Sequence, residues 1–122
     1  MANERIILVD DDELILRSLG QILRLEGYVV ETAETGGEAM EKIEEAPPDL
    51  AILDYKLPDT TGAELLKILS RRFPGILKII LTGYPADVDR EEFLALGAVE
   101  CLYKPIQPDK LITIIKETLG QP

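Results

Sequence analysis

The sequence alternates short apolar runs of strand length with longer segments that have helical periodicity. Strands that alternate with helices are typical of βα units around a parallel sheet. Three of the apolar runs are almost continuous, which suits strands that are covered on both faces. We predict strands at Ile6 to Val9, Tyr28 to Thr32, Leu50 to Leu53, Leu77 to Leu81 and Cys101 to Tyr103.

Helix signals occur between and after these strands. Helices 2 and 3 are predicted to begin at Thr35 and Thr61, because each threonine is followed three residues later by glutamate, the spacing of a capping box. Helix 4 is predicted to lie between Pro85 and Gly97, and helix 5 to begin at Pro108. Helix 1 carries Ile15, Leu19, Ile22 and Leu23 at the spacing of one face and is predicted to end near Gly27.

Composition and charge exclude several classes of function. The net charge is −10 and the 13 Lys and Arg residues form no cluster, so the basic footprint of a nucleic-acid binder is lacking. The absence of histidine excludes Ser-His and Cys-His nucleophile pairs and most zinc sites. No apolar stretch approaches the roughly 20 residues of a membrane span. With a lone cysteine, Cys101, and no export signal at the N-terminus, we expect a cytoplasmic protein without an internal disulfide or a membrane partner.

Polar residues follow four of the predicted strands. Ligands of open α/β sheets bind at the carboxyl ends of strands, where the strand order reverses. If the crossovers are right-handed and the order is 2-1-3-4-5, strands 1 and 3 are neighbours and their acids converge. Two unit charges ~4 Å apart repel by about 4 kcal/mol at an effective dielectric constant of about 20, so these acids need water, helix ends or a cation. The residues are Asp10, Asp11, Asp12, Asp54, Thr82 and Lys104.

Four short motifs at these positions resemble the receiver domain of bacterial response regulators. They are "VDDD" at 9 to 12, "LDYKLPDTTG" at 53 to 62, "LTG" at 81 to 83 and "YKP" at 103 to 105. The resemblance covers essentially the whole chain, so residues 1–122 are expected to form one receiver domain. It implies an α/β fold, a (βα)5 flavodoxin-like three-layer sandwich with a parallel five-stranded sheet in the order 2-1-3-4-5.

The resemblance also assigns roles to individual residues. Asp54 would accept a phosphoryl group from a partner's phosphohistidine. Asp11 and Asp54 would bind Mg²⁺ (or Mn²⁺) directly, Asp10 would act largely through water, and the backbone carbonyl of Lys56 would complete the protein ligands. Carboxylate and carbonyl oxygens suit Mg²⁺, which binds few protein groups and keeps several waters.

Thr82, Lys104 and Pro105 complete the family pattern. By resemblance, the Thr82 hydroxyl would hydrogen-bond a phosphoryl oxygen and the Lys104 ammonium would supply positive charge. We also predict a cis Lys104-Pro105 peptide bond.

The implied partners are a sensor histidine kinase or histidine phosphotransfer protein, and an output domain or effector protein. The domain would catalyse only its own phosphotransfer and dephosphorylation, and is not expected to be an enzyme.

One position departs from the pattern. Three residues before the lysine, receivers usually have a Tyr or Phe that moves inward on phosphorylation, and this chain has Cys101. Strand side chains alternate, so Tyr103 should project to the same side as Cys101 and is our candidate for the moving ring. The missing aromatic keeps open a second function, an interaction domain that works without phosphorylation.

Each site residue also has an ordinary structural interpretation. Asp12 is expected to cap helix 1, and the acidic pair before it fits a solvated turn. Taken alone, Asp54 fits the start of a turn and Thr82 fits an ordinary turn residue. Lys104 fits a lysine at a strand end that extends its charged group into water. A third function, an aspartate-nucleophile phosphohydrolase, generally needs a second acid two residues after the nucleophile. Lys56 occupies that position.

Overall fold

Five strands alternate with five helices along the chain. The computed structural model describes residues 4–83 and 89–121. Every predicted strand is present, with ends that differ from the prediction by one residue at most. The strands are β1 (Arg5–Val9), β2 (Val29–Ala33), β3 (Leu50–Leu53), β4 (Leu77–Thr82) and β5 (Glu100–Tyr103). The helices are α1 (Glu13–Leu25), α2 (Gly36–Glu45), α3 (Gly62–Arg72), α4 (Arg90–Ala95) and α5 (Pro108–Thr118).

The strands form one parallel sheet in the order β2-β1-β3-β4-β5, which confirms the predicted fold. The chain runs from β1 outward to β2 and then crosses back to β3, so the strand order reverses between β1 and β3. Val9 and Leu53, the last residues of these two strands, are register partners. The residues that follow them therefore emerge side by side at the carboxyl edge of the sheet.

Both faces of the sheet are covered by helices. Side chains alternate along each strand, so Ile7 and Val9 of β1 face one layer while Ile6 and Leu8 face the other. The first layer consists of α2, α3 and α4, which contribute Ile43, Leu66 and Phe93 to its core. The second consists of α1 and α5, which contribute Leu16, Leu23, Leu111 and Ile115.

The helices are amphipathic, and none within the two described ranges is long and apolar enough to cross a membrane. The predicted face of helix α1 is confirmed in part. Leu23 is buried as predicted, together with Leu16 and Gly20, whereas the predicted Ile15, Leu19 and Ile22 are half-buried. The buried face is therefore centred about one residue away from the predicted face. Helix α4 starts at Arg90; residues 84–88, where its predicted beginning partly falls, lie outside the described residues.

A buried lysine joins α3 and α4 on the first layer. The Lys78 side chain leaves β4 on this side of the sheet and its ammonium donates to the Ser70 hydroxyl at 3.1 Å. That hydroxyl donates in turn to the Leu96 carbonyl at the end of α4, at 3.0 Å. Burial lowers the pKa of Lys78. The hydrogen bonds offset part of the cost of burying this polar group.

We expect the core at α3 to dominate stability. Leu69 is fully buried and Leu25 is 80% exposed, and both lie in helices. Leu69→Ala should lower the free energy of unfolding by about 2–5 kcal/mol because it leaves a cavity. The matched control Leu25→Ala should change it by no more than about 0.5 kcal/mol. Urea unfolding of both variants measures this, and equal losses would contradict the assigned core.

Candidate functional site

Strand ends bring polar residues together at the carboxyl edge of the sheet. Asp10 follows β1, Asp54 follows β3, Thr82 ends β4 and Lys104 follows β5. Backbone hydrogen bonding continues into these residues, because the Asp54 N–H donates to the Val9 carbonyl at 2.9 Å and the Lys104 N–H to the Thr82 carbonyl at 2.7 Å. Asp10, Asp54 and Thr82 are 5%, 4% and 0% exposed. The sheet therefore fixes the backbone beneath each side chain.

The predicted acids converge. One carboxylate oxygen from each of Asp10, Asp11 and Asp54 lies within 4.8 Å of the other two. Asp10 and Asp54 are buried, whereas Asp11 is exposed. Two segments that are far apart in sequence thus supply a set of hard oxygen donors with one side open to solvent.

Lys104 offsets part of this negative charge. Its ammonium contacts Asp10 Oδ2 at 2.6 Å and Asp54 Oδ2 at 3.5 Å. Its side chain is 20% exposed, so the interaction is less screened than a surface pair. The peptide bond between Lys104 and Pro105 is cis, as predicted.

The pKa of Asp54 is raised above its ordinary value, first by burial and then by the neighbouring Asp10 charge. Lys104 and the Tyr55 N–H, which donates to Asp54 Oδ1 at 2.8 Å, act in the opposite direction. Burial by itself would lower the pKa of Lys104, but the hydrogen bonds and charges of Asp10 and Asp54 together outweigh it and raise that pKa. The site therefore holds more negative charge than one lysine compensates, which favours a bound cation.

Asp12 has a separate role from the acids before it. Its carboxylate accepts from the N–H groups of Leu14 at 3.0 Å and Ile15 at 3.4 Å, so it caps α1 as predicted. Its own N–H donates to Asp10 Oδ1 at 2.9 Å. The start of α1 thereby orients Asp10 toward the site.

The β3–α3 loop, residues 54–61, is a tight turn. Lys56 and Thr61 form an antiparallel bridge, and the Leu57 N–H donates to the Thr60 carbonyl at 3.1 Å. The Gly62 N–H donates to the Tyr55 carbonyl at 2.7 Å. A Cβ atom on Gly62 would lie 2.7 Å from the Asp54 carbonyl oxygen, so only glycine fits there. Asp54 and the Lys56 backbone are therefore carried by one compact segment.

The sequence profile described as "Response regulator receiver domain" matches residues 6–116, a range that includes every residue of this edge. The chain belongs to the response regulator receiver domain family. Receiver domains of this family have a phosphoacceptor role in two-component signalling.

Known relatives agree with this receiver assignment. The chain is 40% identical over 115 residues to "Transcriptional regulatory protein CpxR homolog" of Haemophilus influenzae. This match covers 94% of the chain and 50% of that protein. It is 36% identical over 117 residues to "Alkaline phosphatase synthesis transcriptional regulatory protein PhoP" of Bacillus subtilis, covering 96% of the chain and 49% of that protein. The receiver therefore spans about half the length of these relatives.

A solved structure is also similar. It is the "response regulator receiver domain protein (CheY-like)" from Methanospirillum hungatei, with a TM-score of 0.91 and 45% sequence identity. The match covers 98% of this receiver domain and 95% of that chain. The shared fold therefore extends over nearly all of both chains.

Receiver domains normally bind Mg²⁺, and the three carboxylates of this one can hold a metal ion. Each Mg²⁺–oxygen bond is about 2.0–2.1 Å, so adjacent ligands of an octahedral ion are about 2.9 Å apart and opposite ligands about 4.2 Å apart. The carboxylate oxygens lie within 4.8 Å of one another, so an ion would draw the more distant of them together. The donor chemistry fits the ion, and the three oxygens are close enough to surround one.

The predicted switch positions have different environments. Cys101 is 3% exposed and belongs to the core of the first layer, together with Phe93 of α4. Tyr103 is 38% exposed. Tyr55, directly after Asp54, places its ring edge-on to that of Phe93 with 5.7 Å between centroids. In this receiver an aromatic contact therefore links the segment after Asp54 to α4, while position 101 is a small buried residue.

Sequence reasoning missed Tyr55, Phe93 and Asp59. Phe93 is an apolar residue of a predicted helix, but nothing in its spacing names Tyr55 as its partner. Asp59 follows a proline in a turn and looks like an ordinary turn residue. Its backbone partners are 22 and 23 residues earlier in the chain, a separation that local patterns do not encode.

We expect Asp54→Asn to stabilise the metal-free domain at neutral pH. An acid with a raised folded pKa contributes its full stability below its ordinary value, here 3.8, and loses it as the pH rises through the folded value. Removing the charge should abolish that loss, so the gain should shrink as the pH falls toward 3.8. Urea unfolding in chelator across this range measures it.

The control for this measurement is Asp49→Asn. Asp49 is an exposed acid whose carboxylate accepts from the Arg5 N–H at 2.8 Å, at the opposite edge of the sheet. Its effect should stay within about 0.5 kcal/mol at every pH. A destabilised Asp54→Asn domain at neutral pH would contradict the charge balance described above.

Proposed function

We propose that Asp54 is the phosphoacceptor of this receiver domain and that residues 1–122 act as one phosphorylation-controlled unit. The observation that supports this most directly is the convergence of Asp54 with two further acids and Lys104 at one strand edge. A phosphoryl group in transfer carries charge on its equatorial oxygens, and a cation and a fixed ammonium stabilise that charge. The proposed site contains a nucleophile, a fixed ammonium and carboxylates that would hold the cation.

The chemical step forms one bond and breaks one. A carboxylate oxygen of Asp54 attacks the phosphorus of a partner's phosphohistidine, and the phosphorus–nitrogen bond breaks with its electron pair going to the imidazole. The product is an acyl phosphate on Asp54. The donor histidine lies outside residues 1–122, which contain none, and we assign it to a sensor histidine kinase or a histidine phosphotransfer protein.

The other site residues bind and orient. Asp11, Asp54 and the Lys56 carbonyl would hold Mg²⁺ directly, and Asp10 largely through water. The ion would neutralise charge on the transferred group. Lys104, which contacts Asp10 and Asp54 in the unmodified domain, would turn to the phosphoryl oxygens. Thr82 lies fully buried at the end of β4 and its hydroxyl would hydrogen-bond the same group.

The output of this step is a conformational change. Phosphorylation adds about −1.5 to −2 charges at pH 7, and that charge shifts a population only if it interacts differently with two conformers. In the proposal, Thr82 and Lys104 sense the charge and an output domain or effector protein reads the result. The domain catalyses the transfer of the phosphoryl group to its own Asp54 and the later hydrolysis of that group, without turnover of a metabolite.

A small phosphodonor such as phosphoramidate tests the acceptor. We expect intact mass to rise by one phosphoryl group in the presence of Mg²⁺, and the gain to be lost entirely in chelator and in Asp54→Asn. Asp49→Asn, with the same change of charge at the opposite edge of the sheet, should gain mass like the parent.

Each other outcome has a distinct meaning. Folded parent protein that gains no mass would support the phosphorylation-independent interaction domain, which the buried Cys101 in place of an aromatic makes the second candidate. Sustained turnover of small phosphoesters would instead support the aspartate-nucleophile phosphohydrolase. Mass gain in Asp54→Asn would contradict Asp54 as the acceptor.

Tyr103 has its own test. We expect its half-exposed ring to become more buried when beryllofluoride, a phosphoryl mimic, is bound with Mg²⁺. Ring-proton shifts and solvent accessibility of Tyr103 by nuclear magnetic resonance, in the free and bound states, measure this. Tyr28, directly before β2, is the internal control, because its hydroxyl donates a hydrogen bond to Gln121 Oε1 at 2.7 Å. An unchanged Tyr103 would show that it does not replace the missing aromatic.

A further inference from the structure

A carboxylate on the β3–α3 loop binds the start of a helix that is far away in sequence. Asp59 Oδ1 accepts from the Gly36 N–H at 2.8 Å and Asp59 Oδ2 from the Gly37 N–H at 2.9 Å. These are the first two residues of α2, and the side chain of its cap residue, Thr35, accepts from the Glu38 N–H at 3.0 Å. Asp59 therefore satisfies two helix N–H groups that the local cap does not reach.

Steric fit at the same contact shows that it is a built interface. A Cβ atom on Gly36 would lie 2.4 Å from the Thr60 side chain and 3.5 Å from Leu65. Glycine at position 36 thus lets α2 approach the loop this closely, and a larger residue there would force the Thr60 side chain to move. The two N–H groups also hold the pKa of Asp59 below its ordinary value, so the carboxylate is charged at neutral pH.

The loop that Asp59 fixes is the one that carries the proposed metal ligands. Asp59 and Pro58 form the tip of the turn that the Leu57–Thr60 hydrogen bond closes. Lys56, whose carbonyl is the proposed loop ligand, immediately precedes this turn and pairs with Thr61 on its other side. The base of the turn is fixed by Gly62 and the sheet, and its tip is fixed by Asp59.

We propose that Asp59 is a positioning residue that holds the β3–α3 loop, and with it the Lys56 carbonyl, in the geometry that binds Mg²⁺. The inference rests on the proposed function, in which that carbonyl and Asp54 share the ion. A ligand held in place before the ion arrives loses less conformational freedom on binding. The hydrogen bonds from α2 to Asp59 hold the loop in place in advance, and Asp59 itself is not a ligand of the ion.

Asp59→Ala should weaken Mg²⁺ binding and leave the fold intact. Partners that hydrogen-bond a metal ligand directly are worth about 10- to 100-fold in affinity; Asp59 acts one step further out, so we expect a loss of about three- to tenfold. Titration calorimetry of the unphosphorylated domain gives the affinity. Asp59→Asn, which keeps one acceptor oxygen, should fall between Asp59→Ala and the parent, and it carries the test if Asp59→Ala does not fold.

Two control variants separate positioning from general stability. Asp49→Ala removes an exposed carboxylate that accepts a backbone N–H at the opposite edge of the sheet. Thr35→Ala removes the local cap of α2 and leaves the Asp59 contacts in place. Both should keep the parent affinity for Mg²⁺. Hydrogen exchange at the Leu57 N–H should be faster in Asp59→Ala than in either control, because that N–H closes the turn.

Phosphorylation gives a second, independent measurement. With a small phosphodonor, Asp59→Ala should need about three- to tenfold more Mg²⁺ for its half-maximal rate, the same factor as its loss of affinity. At saturating Mg²⁺ its rate should return to the parent value. A rate that stays low at saturating Mg²⁺ would contradict a role in positioning the ion's ligands.

The outcomes also distinguish this inference from the proposed function. A parent domain that binds no Mg²⁺ would overturn the proposed metal site itself. A parent that binds Mg²⁺, together with an Asp59→Ala domain of equal affinity, would overturn only the role of Asp59. Equal losses in Thr35→Ala would assign the effect to the stability of α2, and would also overturn it.

Discussion

Repulsion among three carboxylates at one edge of the sheet is the constraint on which the rest of the site depends. The parallel strand order brings Asp10 and Asp54 together, and burial removes most of the water that would screen them. Lys104, which follows the edge strand β5, compensates part of this negative charge. A receiver domain thus stores an unbalanced charge that a divalent cation relieves. The chemistry of phosphoryl transfer needs that same cation.

The free energy gained by burying the two-layered core offsets the cost of this repulsion. Helices on both faces bury most apolar strand residues, and this burial is the dominant favourable term in folding. The sheet can then hold polar groups at its carboxyl edge in positions that its backbone hydrogen bonds determine. The opposite arrangement, with the same acids on flexible loops, would let repulsion separate them. Stability and reactivity are therefore located in different parts of one sheet.

Much of the fold and of the site could be predicted from sequence, because both are encoded in short patterns. Apolar runs such as Leu50 to Leu53 identify strands, and Thr35 and Thr61 identify helix starts. Polar residues directly after strands, such as Asp54, identify the edge that binds ligands. The family resemblance added the roles of these residues, which periodicity alone does not supply.

Contacts between distant segments could not be predicted in this way. The pairing of Tyr55 with Phe93 and that of Asp59 with Gly36 depend on how α4 and α2 settle on the sheet. Similarly, the burial of Gly20 in α1 reflects packing against β2, since a Cβ atom there would contact Thr32 at 3.9 Å. Local patterns specify which elements form, and the final packing decides which side chains meet.

The two glycines that contact the β3–α3 loop limit which substitutions the acidic edge of the receiver accepts. A Cβ atom on Gly62 would lie 2.7 Å from the Asp54 carbonyl oxygen, and one on Gly36 would lie 2.4 Å from the Thr60 side chain. At Gly62 the neighbour is backbone, so any larger residue has to displace the segment that carries Asp54. A sequence change that leaves every acid in place would therefore still disturb the site.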